Sequence, residues 1–175
     1  SEAISRHPSE TFQKLRHYAA YKSLLGRSEK TLGSPQAGTL LAEAIEANLT
    51  IGERAGALED LLWRADWLEL QMGQVQQAAQ ELKNHEKMFD DVPQKQPWRL
   101  RQHARVLAQL QDLPGALAKY DEARYWASIL RPTPDALADI ASVQAALLSS
   151  IGQVHKAMAV LLEVEHLRIE RLQIE

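Results

Sequence analysis

Apolar residues along the chain fall three and four apart in successive blocks, the spacing of helices that each bury one face. Between Ala57 and Met72 that face is Leu58, Leu61, Leu62, Ala65, Leu68 and Met72. Between Leu137 and Ile151 it is Ile140, Ala141, Gln144, Ala145 and Leu148. No stretch alternates Val, Ile, Thr and aromatics, and no Asn-Gly or Asp-Gly turn occurs, so no strands are predicted. The pattern predicts about eight helices, near 8–26, 35–51, 54–72, 75–90, 97–110, 113–130, 134–151 and 153–175. Ser34-Pro35 and Thr133-Pro134 each set a capping hydroxyl before a proline at the first helical position. Gly26, Gly52, Gly73 and Gly152 fall where a helix is expected to stop.

Helices of similar length with short connections call for a search for repeats. Gly73-Gln74-Val75-Gln76-Gln77-Ala78 is followed by Leu82, and Gly152-Gln153-Val154-His155-Lys156-Ala157 by Leu161. Gln111-Asp112-Leu113-Pro114-Gly115-Ala116 is followed by Tyr120 and Ala123. The aligned alanines are 38 and then 41 residues apart, and a fainter copy runs from Gly33 to Gly38 and Ala42. A turn residue, a small alanine and a large residue one turn later describe a helical hairpin. The alanine lets paired helices approach, and the large residue fills the gap to the next hairpin. Each hairpin has a second apolar face that it buries only by stacking. A closed bundle of the same helices is the structural rival.

With these residues the chain resembles the tetratricopeptide repeat family over most of 35–165. Ala104 and Ala145 stand where that family has a small residue in a repeat's first helix. The departures are the longer spacing, Asp66 at another such position, and the scarcity of the first helix's aromatic. The spacing, with Ile51-Gly52-Glu53-Arg54-Ala55-Gly56-Ala57 as an inter-repeat linker, is similar to the variant in bacterial signalling and transcription-regulating proteins. The resemblance implies an all-α fold, a right-handed α-solenoid of antiparallel hairpins. It also implies a non-enzymatic interaction module, the sensory or regulatory input of a larger cytoplasmic signalling protein. A homodimerisation or assembly scaffold is the alternative.

Composition removes other classes. Twenty Lys and Arg against 23 Asp and Glu leave a net charge of −3, which argues against bulk attraction to nucleic acid or anionic lipid. An apolar share of 45% suits a globular chain rather than a disordered one. The absence of cysteine excludes disulfides, thiol catalysis and cysteine-ligated zinc. No apolar run approaches the ~20 residues of a membrane span, and no signal peptide is evident.

Candidate chemistry is sparse. The six histidines, His7, His17, His85, His103, His155 and His166, include no i,i+4 pair, so neither a metal nor a cofactor is expected. His85 reads as a core or boundary histidine, and Asp90-Asp91 as a helix end in a polar connection. Walker, Gly-x-Ser-x-Gly and Gly-x-Gly-x-x-Gly motifs are missing, so no enzyme is predicted. Trp63 and Trp67 share a helical face that Leu70 extends. The repeat register sets these three on the inner, concave side, where the resemblance implies ligand binding. It sets Trp98, Arg101 and Arg105 there in the next repeat, and Asp139, Ser142, Ala146 and Ser149 in the one after. Rigid aromatics and arginine forks suit a protein or peptide partner with an acidic or C-terminal segment. Two other readings stay open for Trp63 and Trp67: core covered by the N-terminal helix, or a dimer contact. Arg99, Arg101, His103 and Arg105 beside Trp98 read as a charged helix face rather than a nucleic-acid site.

The ends read differently. Residues 1–33 form an N-terminal helix or truncated repeat plus the polar linker Arg27–Gly33, and 34–165 the repeats. Residues 166–175 extend the last helix toward a possible output domain. Leu161, Val164, Leu167 or Arg168, Glu170 or Arg171, and Ile174 trace a mixed apolar and charged stripe along it.

Overall fold

A computed structural model describes residues 8–130 and 134–172, with side chains except at 8, 9, 134, 135, 167, 168 and 170–172. Thr133, His7 and Ile174 lie outside the described residues, as do the side chains of Leu167, Arg168, Glu170 and Arg171. All regular structure among the described residues is helical: α1 (Pro8–Thr31), α2 (Ala37–Thr50), α3 (Arg54–Leu70), α4 (Val75–Asn84), α5 (Glu86–Asp90), α6 (Gln96–Gln109), α7 (Leu113–Leu130), α8 (Pro134–Ser150) and α9 (Val154–Leu172), with a single 3₁₀ turn at Pro93–Lys95. The chain divides into two compact units, 1–95 and 96–175. In the first, α1 packs on α2, α2 on α3 and α3 on α4; in the second, α6 packs on α7, α7 on α8 and α8 on α9.

One junction recurs. After α1, α2, α6 and α8 a residue takes a left-handed backbone: Gly33, Gly52, Gln111 and Gly152. Its N–H donates to the carbonyl three residues back, and the next N–H to the carbonyl five back, as in Gly152 to Ser149 (3.0 Å) and Gln153 to Leu148 (2.8 Å). These two bonds satisfy carbonyls that the helix end leaves open. The turn at Gly73 is one residue wider, Gln74 donating to Leu68. The residue after the turn then accepts from an alanine four on, at Ala57, Ala78, Ala116 and Ala157. All four alanines are buried. Ala78, Ala116 and Ala157 thus hold the same place in α4, α7 and α9. Ala57 shows that the junction also serves the entry to α3.

Gln111 is the one described non-glycine residue with positive φ, at 66°. A side chain in that region costs about 1 kcal/mol. Gln111→Gly is therefore expected to raise stability by about 0.5–1 kcal/mol, read as a higher urea midpoint. An unchanged midpoint would mean that glycine's chain entropy offsets the relief.

Two helix boundaries differ from the sequence reading. Gly26 does not end α1, which runs to Thr31 and makes most of the expected linker helical. A Cβ on Gly26 would lie 2.9 Å from Leu41 Cγ, so the glycine serves close contact between α1 and α2. The helix expected over 75–90 breaks at His85, whose Nδ1–H donates to the Glu81 carbonyl at 2.8 Å. Pro35 sits in a turn ahead of α2, where Ser34 Oγ accepts from the Gln36 N–H at 3.3 Å.

Each unit has its own apolar centre. In the first, Ile45, Ala57, Leu58, Leu61 and Phe89 cluster. In the second, Leu100, Tyr120, Leu137, Ile140, Leu148 and Val160 pack with alanines from α6 to α9.

Candidate functional site

The tryptophans of α3 have different surroundings. Trp67 is 7% exposed. Its ring lies against Gly38 of α2, and its Nε1–H donates to the Ser34 carbonyl at 3.3 Å. Trp63 is half-buried, with Lys30 Nζ 4.7 Å and Arg27 Cζ 5.7 Å from its ring centroid. Both cations come from the end of α1 and meet the electron-rich ring. Trp67 is therefore core rather than groove, and Trp63 is covered by the N-terminal helix. The extension of α1 past Gly26 is what brings Arg27 and Lys30 across Trp63. Leu70, at the last residue of α3, is 60% exposed.

Acids of α3 hold these cations. Arg27 donates from Nη1 to Glu59 Oε1 (2.7 Å), and from Nε and Nη2 to Asp60 Oδ1 (3.1 and 2.7 Å). Lys30 pairs with Asp66, the residue that breaks the small-residue pattern. Burial works against the charge on Arg27, but Asp60 and Glu59 hold its pKa above the ordinary value. Burial also opposes the Glu59 charge, yet Lys95 and then Arg27 hold its pKa below the usual carboxylate range.

In the second unit, Trp98, Arg101 and Arg105 rise in successive turns along α6. Trp98 is 36% exposed, and both arginines are half-buried. Arg101 Nε lies 2.9 Å from Asp139 Oδ2 of α8, an ion pair whose Nε–H does not aim at the carboxylate. The pair links α6 to α8 at one point, and Asp139, Ser142, Ala146 and Ser149 of α8 are all exposed. The six predicted contact residues thus divide, three in each unit.

Three charged positions carry more structure than the sequence reading gave them. Asp60 is fully buried, yet sits in the register of Ala57 and Leu61. A charged residue on an apolar face needs a partner, and that was the available signal. Arg99 is 1% exposed, with Nε donating to Gln96 Oε1 at 2.9 Å. Nothing in its sequence setting separates it from Arg101 and Arg105. Arg124 of α7 donates to Gln144 of α8 (2.7 Å), Glu163 of α9 (2.6 Å) and Asp121 (3.0 Å), tying three helices. Asp121, Gln144 and Glu163 edge an open cleft of about 320 Å³ that Leu117, Leu148 and Lys156 also line. No group of three metal-ligating side chains occurs among the described residues, and no described helix is long and apolar enough to cross a membrane. No family model matches the chain, and neither a curated protein nor a solved structure does.

Proposed function

We propose that the chain is a non-enzymatic interaction module of tetratricopeptide-repeat type, stacked as an α-solenoid. In this reading it is the regulatory input of a larger cytoplasmic bacterial signalling protein. The observation that carries the reading is the recurring junction, with Ala78, Ala116 and Ala157 buried at one position of α4, α7 and α9. The charged networks around Arg27 and Arg124 join helices to one another, a role in architecture rather than in a reaction.

The partner is a protein segment with acidic side chains or a free C-terminus, received on the α6 face at Trp98, Arg101 and Arg105. Trp98 supplies rigid contact area, and the guanidinium groups suit carboxylates. An incoming carboxylate takes the place of Asp139 on Arg101, whose Nε–H is poorly aimed in the existing pair. Fluorescence anisotropy with labelled acidic peptides bearing a free C-terminal carboxylate tests this. Arg101→Glu with Arg105→Glu is expected to abolish binding while far-UV circular dichroism stays unchanged. Peptides that fail to bind the parent chain, or bind both forms alike, would remove the α6 face from the proposal.

A further inference from the structure

The large residue one turn beyond each recurring alanine is the one expected to fill the gap to a neighbouring hairpin. At the first two occurrences it is buried: Leu82 is 0% exposed and Tyr120 1%. At the third it is not, Leu161 being 45% exposed. Within the second unit Tyr120 belongs to the cluster that joins α6 and α7 to α8 and α9. The same surface, one hairpin further on, lies open.

That surface has a definite layout. Ala157, Val160 and Val164 of α9 are buried. On the other side Val154, Met158, Leu161, Leu162, Glu165 and Ile169 fall within about 100° of arc, and all six are exposed. Their spacing reads the same in both directions from a point between Leu161 and Leu162. An antiparallel helix with the same spacing therefore meets it in register: Val154 against Ile169, Met158 against Glu165, Leu161 against Leu162. The paired Glu165 carboxylates stay about 10 Å apart along the axis, so no like charges are forced together.

The geometry points to a second copy of this chain as the occupant, the two α9 helices packing antiparallel about a two-fold axis between Leu161 and Leu162. Isologous pairing closes on itself. One helix pair about 23 Å long buries on the order of 800 Å², below the standard interface size, so the dimer is weak, with Kd on the order of 100 µM. This inference goes beyond the peptide-binding proposal and uses none of its residues.

Sedimentation equilibrium from about 10 to about 500 µM, which brackets that Kd, is expected to show a monomer–dimer equilibrium. Leu162→Glu, at a residue 65% exposed, is expected to weaken it at least tenfold with unchanged helical content. The chain has no cysteine, so single thiols report the geometry. Leu162→Cys is expected to give a disulfide-linked dimer on mild oxidation. Val154→Cys is not, because its copies lie about 22 Å apart along the axis, far beyond disulfide reach. Val154→Cys mixed with Ile169→Cys is expected to cross-link. A chain that stays monomeric across the range, or Val154→Cys linking to itself as readily as Leu162→Cys, overturns the inference.

Discussion

Alanine at Gly38 destabilises the first unit by about 3 kcal/mol, although alanine is the better helix former. Gly38 lies in the first turn of α2, and a Cβ there would stand 2.2 Å from Trp67 Cζ3 and 2.4 Å from Cη2. Carbon atoms in contact sit about 3.5–4.0 Å apart, so the ring or the helix has to move by more than 1 Å. Trp67 has little freedom to yield, being buried and bonded through Nε1 to the Ser34 carbonyl just ahead of α2. The overpacking cost exceeds the ~1 kcal/mol of propensity gained. Native-state hydrogen exchange reads the loss where it arises, as roughly a hundredfold lower protection of α2 and α3 amides. The Trp67→Leu background supplies the control. It removes the obstructing ring, so Gly38→Ala there is expected to be neutral or to stabilise by up to about 1 kcal/mol. Equal costs in the two backgrounds would show that the ring is not the cause.

The same pair shows how far the sequence carries the fold. The helices and junctions were legible because their signals are local: Gly33, Gly52 and Gly152 mark turns that need a left-handed residue, and the alanines follow at fixed distance. Gly26 looks like the turn glycines in sequence and Gly38 takes the alanine's place in the fainter copy; both lie within helices, where Leu41 and Trp67 press on them. Their partners are 15 and 29 residues away, and no local pattern encodes that approach. The candidate site was legible in proportion. Trp98, Arg101 and Arg105 share a face because helical spacing alone puts them there. Whether Trp63 is open depends on α1, more than 30 residues earlier, reaching it with Arg27 and Lys30.

Removing the Asp60 carboxylate is expected to free α1. Asp60 of α3 is fully buried and accepts four hydrogen bonds. Ser23 Oγ (2.7 Å) and Arg27 Nε and Nη2 (3.1 and 2.7 Å) come from α1, and Asn48 Nδ2 (3.2 Å) from α2. A buried carboxylate survives only when such donors replace water. Asp60→Ala leaves Ser23 and Asn48 without this acceptor, and Arg27 with Glu59 alone among its two acids. Breaking one side of a buried ionic network costs about 3–5 kcal/mol, whereas an exposed pair would cost less than about 1. The loss falls on α1, because three of the four donors belong to it. Limited proteolysis is expected to cut within α1 before residues 96–175 are attacked, and Trp63 emission to shift red as Arg27 and Lys30 leave its ring. Asp60→Asn keeps an acceptor for Arg27 and is expected to recover about half of the loss, the remainder being the charge-assisted part of the bonds. Intact α1 protection in Asp60→Ala would instead assign the docking of α1 to the close apolar contact of Gly26 with Leu41.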